Sequence, residues 1–441
     1  MYKHRRKIIP IQHTIFKVGS KLNNKLQWMK NDRFGMFIHW GLYAIPARGE
    51  WIRSHEEISI EDYQQYFDEF DASDYDPSYW AKLAKNAGMK YAVFTTKHHD
   101  GFCMFDSALT DYKSTNTPAK RDLVKEFVDA FRAEGLKIGL YYSLNDWHHP
   151  EYPAYGDANH PMRNNPEFKD KNHDFSKYIE YYQGQIKELL TNYGKIDMVW
   201  FDGVYDDMIG EVWHAKETEE IIRSLQPDIL INDRLCLDIL TETPEKRSGD
   251  FYTPEIIIPS SPVVDVNGDE MLWESCLSLN GLWGYDQAES KYMESKYAIR
   301  ILVECVSKGG NLLMNVGPDA KGRIPKKCIK IFEEIGEWMK YNSESIYGCT
   351  KSEFPKPEWG RFTQNGKNLY VHITDKTTGS LVIPNIGDKV EKARFLCDGV
   401  EINIDEPWNG KYAQGKNNLF LNISAFDLPD ESDTVLKLTL K

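Results

Sequence analysis

The chain has 441 residues, with 54 Lys and Arg against 67 Asp and Glu for a net charge of −13, a field that repels polyanions and argues against nucleic acid as a partner. A hydrophobic share of 41% and a charged share of 27% exclude a disordered chain. At ~100–200 residues per domain, this length predicts two domains.

The opening MYKHRRKIIPIQHTIF carries a basic cluster without the apolar stretch and small-residue cleavage site of a secretory signal. Residues 1–27 read as an N-terminal extension. No run of ~18 apolar residues follows, so no membrane span is expected, and the cytoplasm is the expected location. The 7 cysteines are scattered, odd in number and free of C-x-x-C, which predicts neither a disulfide framework nor a thiolate zinc site.

Over 28–345, short apolar runs alternate with helical stretches. The runs are FGMFIHW (34–40), KYAVFTT (90–96), LKIGLYY (136–142), IDMVWFD (196–202), ILINDR (229–234) and NLLMNVG (311–317). Helices are predicted over 77–88, opened by Asp76 and Pro77, and over 119–134, 172–193, 214–226, 289–308 and 325–341. Strands alternating with helices give parallel βαβ units, and this many units predict an α/β fold, a (β/α)8-like TIM-type barrel. The stretch 143–171, rich in Pro, His, Asn and Asp, reads as a loop over the active face. Residues 307–311 (SKGGN) lack the phosphate-loop pattern and read as a tight helix-to-strand turn. From 346 to 441 the pattern changes to short strands such as NLYVHIT, NLFLNIS and DTVLKLTL, which predict a C-terminal β-sandwich. Its expected role is packing against the barrel. The sequon at Asn422 is read as chance in the expected compartment.

Catalytic groups of a barrel gather at the C-terminal ends of its strands, so the polar residues that close each run carry the functional signal. They are His39-Trp40, His98-His99-Asp100, Tyr141-Tyr142-Ser143, Trp200-Phe201-Asp202 and Asn232-Asp233-Arg234. Asp202 follows an apolar run and precedes a glycine; it reads either as a catalytic carboxylate or as the cap of the next loop. His98 and His99 have three readings: histidines satisfied locally, metal ligands together with His39 and Asp202, or binders of sugar hydroxyls. Adjacent strand residues point to opposite faces, so both can reach one ligand only where the chain leaves strand geometry. No H-x-H or H-E-x-x-H spacing favours metal. Glu255 closes the short run GDFYTPE, and its plain alternative is a solvated loop residue. Glu274, beside Trp273, is a rival carboxyl whose pKa a neighbouring tryptophan could raise. Glu50, before Trp51, is a third.

Taken together, FGMFIHWGLY (34–43), GEW (49–51), KHHDGF (97–102), GLYYS (139–143), WFDG (200–203), NDR (232–234), LWGY (282–285) and VSKGGNLLMNVGPDAKGRIP (306–325) resemble glycoside hydrolase family 29, the α-L-fucosidases. The resemblance implies a retaining exo-acting enzyme that releases terminal α-L-fucose by double displacement. It implies Asp202 as the nucleophile and, because GDFYTPE is similar to the family's acid/base region, Glu255 as the acid/base, with Glu274 the alternative. His39, Glu50, Trp51, His98, His99, Tyr141, Trp200, Arg234 and Trp283 fall on positions similar to the family's fucose pocket. No metal and no organic cofactor is implied. The implied partner is a fucosylated oligosaccharide or glycoconjugate, with neither nucleic acid nor membrane, and assembly into a homo-oligomer stays open. Linkage preference would rest on the loops 143–171 and 256–270. Two other readings remain: a metal-dependent barrel hydrolase built on the same histidines, and a fucose-binding protein without turnover.

Overall fold

A computed structural model describes residues 25–169, 171–203, 208–244, 246–375, 380–423 and 428–441; the first 24 residues of the expected N-terminal extension lie outside them. Seven strands, β1 (Phe34–Ile38), β2 (Tyr91–Lys97), β3 (Lys137–Ser143), β4 (Met198–Asp202), β5 (Leu230–Ile231), β6 (Glu274–Ser278) and β7 (Asn311–Val316), form one parallel sheet in the order β5-β4-β3-β2-β1-β7-β6.

The barrel expected from the sequence has eight staves; among the described residues seven are strands, β5 only two residues long. The eighth place is filled by residues 250–256, which bond to both free edges. On one side the Asp250 N–H donates to Ile231 O at 2.7 Å and Phe251 bridges Asn232. On the other, Tyr252 N–H reaches Leu272 O (3.0 Å), Glu274 N–H reaches Tyr252 O (2.9 Å) and Ile256 N–H reaches Cys276 O (3.0 Å). Pro254 carries no N–H, so this stave is held by individual bonds rather than a regular ladder.

The pleat explains why every residue of β1, β2, β6's first half and β7 is buried. One parity, including Met36, Ile38, Phe94, Leu140, Phe201 and Met314, faces the surrounding helices. The other, including Phe37, Tyr91, Val93, Tyr141, Met198, Trp200, Leu230, Phe251, Cys276 and Leu313, fills the lumen. Leu26 and Met29, from the helix Gln27–Asp32 and the residue before it, join that lumen cluster. The helices form where apolar residues recur at helical spacing. In Leu123–Ala133, Leu123, Val124, Phe127, Val128 and Phe131 are buried, and Asp122 caps the first turn by accepting the Lys125 N–H at 2.8 Å. Asp76 does the same for Pro77–Asn86.

Among the described elements that escape sequence patterning are a helix and a strand of the barrel. The helix Ile60–Glu69 buries only Tyr63, so its apolar stripe is too thin to register. Strand β6 reads ESCLS, with polar residues on both faces.

After the helix Lys326–Asn342, the chain is antiparallel. Its strands are β8 (Thr350–Lys351), β9 (Gly360–Asn365), β10 (Asn368–Ile373), β11 (Leu381–Ile383), β12 (Val390–Phe395), β13 (Leu419–Leu421) and β14 (Thr434–Leu440). A five-stranded sheet, β12-β14-β10-β9-β8, and a two-stranded sheet, β11-β13, share a core that includes Phe362, Val371, Ile383, Leu421, Leu436 and Leu438. Asp433 accepts the Trp338 indole N–H through its carbonyl at 2.9 Å, and Arg300 donates to Ser432 O at 2.8 Å, so this region docks on the barrel's last two helices. Among the described residues no helix is long and apolar enough to cross a membrane.

Gly249 stands at the start of the eighth stave with φ +87°, and a Cβ there would lie 2.6 Å from the Asn232 carbonyl oxygen. Gly249→Ala is therefore expected to lower unfolding free energy by about 1–3 kcal/mol, read by urea denaturation; parental stability would show that the closing contact carries no strain.

Candidate active site

The barrel brings the polar strand ends to one cavity. His39 follows β1, Tyr141 lies in β3, Trp200 and Asp202 lie in β4, and Arg234 sits in the short 3-10 turn Asp233–Leu235 that ends β5. Glu255 is carried by the eighth stave, where it bridges Cys276. The cavity is lined by Phe37, His39, Trp51, His98, His99, Tyr141, Trp200, Asp202, Arg234, Glu255, Cys276 and Trp283. Wider clefts elsewhere, such as the one between Tyr79, Tyr292 and Arg323, hold none of these residues.

His98 and His99 reach the same cavity because β2 stops at Lys97, after a register shift between Thr95 and Lys97. Both imidazoles thus stand outside the pleat, with ring centroids 4.3 Å apart. The loop after β3 supports them: Trp147 N–H donates to His99 O at 2.9 Å, and its ring packs against Trp51 and His99.

The two candidate carboxylates meet at one cation. Arg234 Nη1 lies 2.8 Å from Asp202 Oδ1 and 2.6 Å from Glu255 Oε2. Those two oxygens therefore cannot be further apart than the sum of the two distances. This common contact sets the two carboxylates side by side, as the close carboxyl pair of a retaining glycosidase requires. The guanidinium is held in turn by Thr253, whose carbonyl accepts from Nη2 and whose hydroxyl accepts from Nε, both at 3.2 Å. Its Cζ stands 4.7 Å over the Trp200 ring. The second Asp202 oxygen accepts the Tyr141 hydroxyl at 2.9 Å. Asp202 is 14% exposed and Glu255 39% exposed, so one carboxylate is sheltered and the other is open to water.

Burial works to raise the Asp202 pKa, yet the Arg234 charge, His99 and the bonds from Arg234 and Tyr141 outweigh it and hold the carboxyl below its usual range. The histidines move the other way. Burial pushes His39 down to about 3, against the pull of Asn315 and Asp202. Burial also lowers His98 and His99, so all three imidazoles are neutral near pH 7. His39 Nδ1 lies 2.7 Å from Asn315 Oδ1, and Asn315 Nδ2 donates to Trp283 O at 2.7 Å. The amide oxygen is thus the acceptor, Nδ1 carries the proton, and Nε2 is left as an acceptor.

Glu50 is not among the lining residues. Its Oε2 accepts the Gly284 N–H at 2.7 Å and so holds the turn that carries Trp283. Glu274 lies in the lumen instead of the cavity wall: its carboxyl accepts the Tyr91 hydroxyl and, at 3.2 Å, the Trp200 indole N–H. Sequence reasoning misses Phe37, Cys276 and Asn315; Asn315 alone leaves a signal, as a polar residue inside NLLMNVG. Among the described residues no group of three or more His, Cys, Asp or Glu is arranged to hold a metal ion. His39 and His99 are each engaged at Nδ1, by Asn315 and Ser143.

Residues 14–344 match the family model described as Alpha-L-fucosidase. The chain is 30% identical over 419 residues to an alpha-L-fucosidase of Dictyostelium discoideum, covering 86% of this chain and 85% of that one. Alpha-L-fucosidase isoenzyme 1 from Paenibacillus thiaminolyticus superposes with a TM-score of 0.93 at 55% identity, over 96% of this chain and 100% of that one. A family 29 alpha-L-fucosidase from Bacteroides thetaiotaomicron, trapped as a covalent intermediate with a 2-fluoro-fucosyl fluoride in a Glu-to-Gln mutant, superposes with a TM-score of 0.82 at 28% identity, over 95% of this chain and 96% of that one.

The lumen carboxyl makes stability depend on pH. Burial, opposed by the bonds from Tyr91 and Trp200, pushes Glu274 from 4.5 up to about 7. The folded state holds this proton more tightly than the unfolded chain does. Its contribution to stability is therefore complete below the unfolded pKa and is lost as pH rises through 7. Urea denaturation from pH 4.5 to 8 is expected to show Glu274→Gln gaining on the parent by on the order of 2–3 kcal/mol; parallel curves for the two proteins would count against a buried protonated Glu274.

Proposed function

The chain belongs to the α-L-fucosidase family, and on that premise we propose that Asp202 is the nucleophile and Glu255 the acid/base of its reaction. The enzyme is a retaining glycoside hydrolase that releases α-L-fucose. In the first step an Asp202 oxygen bonds to the anomeric carbon while the glycosidic C–O bond breaks, and Glu255 gives its proton to the departing oxygen. In the second, Glu255 takes a proton from water, the water oxygen attacks the anomeric carbon, and the bond to Asp202 breaks. Two inversions leave the fucose in its original configuration.

One observation carries this reading: a single guanidinium nitrogen touches both carboxylates and so brings them together, as the close pair of a retaining glycosidase requires. The division of labour follows from exposure. Asp202, sheltered and depressed in pKa, suits a group that must stay ionised. Glu255, open to water, suits one that exchanges protons with solvent. The Glu-to-Gln variant in which the Bacteroides enzyme was trapped as a covalent intermediate supports a glutamate in that part. Glu274 lies outside the lining of the cavity and below Trp200.

The neutral His39, His98 and His99 and the Tyr141 hydroxyl offer directional bonds to the sugar hydroxyls, and Trp51 and Trp283 offer faces for its methyl and C–H surfaces. The proposed substrate is a terminal fucosyl group on an oligosaccharide or glycoconjugate. Metal-assisted hydrolysis on the same residues is disfavoured by the Arg234 cation, which occupies the carboxylate a metal would need.

Release of nitrophenol from an aryl α-L-fucoside, unaffected by EDTA, is the expected basal result. Asp202→Ala should lose ~10³-fold or more in kcat and, with azide, form β-fucosyl azide by a single inversion. Glu255→Ala with azide should form α-fucosyl azide, because azide attacks the intermediate without needing a base. Near-normal turnover by folded Asp202→Ala would falsify the assignment.

A further inference from the structure

We propose that Glu274 is a positioning residue: it fixes the indole of Trp200, and through that ring the Arg234 guanidinium, in the orientation that touches both carboxylates. The inference rests on Asp202 and Glu255 being the reacting pair.

Glu274 opens β6, fully buried in the lumen and two residues before Cys276, which lines the cavity. One of its oxygens accepts the Trp200 indole N–H at 3.2 Å and the other accepts the Tyr91 hydroxyl. Tyr91 is tied further down: Asn311 Nδ2 lies 3.4 Å from its hydroxyl and 2.8 Å from Met29 O, on the helix at the barrel floor. A continuous polar chain thus runs from the floor to Trp200. Above it, the Trp200 face lies 4.7 Å from Arg234 Cζ, and Tyr141 stacks beside that ring at 5.8 Å and 20°.

A carboxyl at this place has a cost. Its partners are neutral donors, and the lumen around it is apolar, so a leucine or methionine would fill the volume without desolvating a polar group. What an apolar residue could not do is orient the indole. Trp200 has one N–H, and the acceptor for it decides which way the ring plane turns. Without that acceptor the ring can turn about its side-chain bonds, and Arg234 loses the surface it rests on. A side chain acting this way affects the reaction through Trp200 alone, which sets it apart from one that only satisfies a buried donor.

The test is a double-mutant cycle on the full chain with an aryl α-L-fucoside. Glu274→Leu is expected to lose ~10–100-fold in kcat with KM within ~3-fold. Glu274→Gln keeps an oxygen for the indole N–H and should recover most of that loss. In a Trp200→Phe background, where no N–H remains to be held, Glu274→Leu should cost nothing more. The proposal is overturned if folded Glu274→Leu keeps parental kcat, or if its loss is the same with Phe at 200 as with Trp. Glu274→Met, unbranched and of similar volume, replaces the leucine variant should that one not fold. Azide separates this failure from failure of the catalytic assignment. An α-fucosyl azide product from Glu274→Leu would make Glu274 the acid/base and overturn both readings. An impaired variant that yields no azide product leaves Asp202 and Glu255 in their parts and supports positioning.

Discussion

Arg234 Nη1 touches two carboxylates at once, and the mouth of the barrel is arranged around that contact. Buried charges are costly to desolvate, and pairing alone seldom offsets the cost. Here the cost is met by geometry. Thr253 accepts from two other guanidinium nitrogens, Trp200 supports the flat face, and Tyr141 satisfies the far oxygen of Asp202. Asp233, next in the chain, accepts from the Thr253 backbone and hydroxyl, which locks the turn of Arg234 to the stave of Glu255. The surrounding imidazoles stay neutral and so bring no competing positive charge. A fixed cation between two carboxylates is a preorganised field, in place before any substrate arrives.

Most of the barrel was legible because its staves are apolar runs, buried on both faces, that end in polar residues. FGMFIHW, LKIGLYY and IDMVWFD became β1, β3 and β4, and the same runs announced His39, Tyr141 and Asp202. The sequence was silent where pattern and structure part company. Strand β6 carries Glu274 on its lumen face, bonded to Tyr91 and Trp200, and Ser275 on the opposite face, bonded to the Ile257 carbonyl, so no apolar run marks it. The choice between Glu255 and Glu274 was open because the sequence offered only the run GDFYTPE for one and the neighbouring Trp273 for the other; the register shows the first at the rim and the second a layer below. Glu50 matched a sugar-binding position by motif, yet its carboxylate is turned to the Gly284 N–H, a long-range contact that no local pattern encodes.

The distant parts of the chain converge on the same wall. Arg33, buried at the foot of β1, donates to the carbonyls of Gly309 and Cys349 at 2.7 and 2.8 Å, tying the turn before β7 to the start of the antiparallel region. The buried His372–Asp433 pair and the Trp338 bond to Asp433 extend that tie to the helix that ends the barrel. The C-terminal strands thus brace the side of the sheet formed by β7 and β6, on which Asn315, Cys276 and Glu274 stand.

The barrel's seam falls at the stave that carries Glu255. Asp202 closes β4 opposite Ser143 of β3, at the end of a ladder unbroken from Met198, whereas residues 250–256 hang on separate bonds around a proline. A ladder forbids insertion, since one added residue turns every side chain to the wrong face. A seam tolerates it. The two halves of the proposed chemistry therefore differ in evolvability: the carboxylate proposed as nucleophile is fixed by its ladder, while the one proposed as proton donor sits on a hem that can be let out or taken in, so its position along the chain is free to drift as long as its tip still meets Arg234.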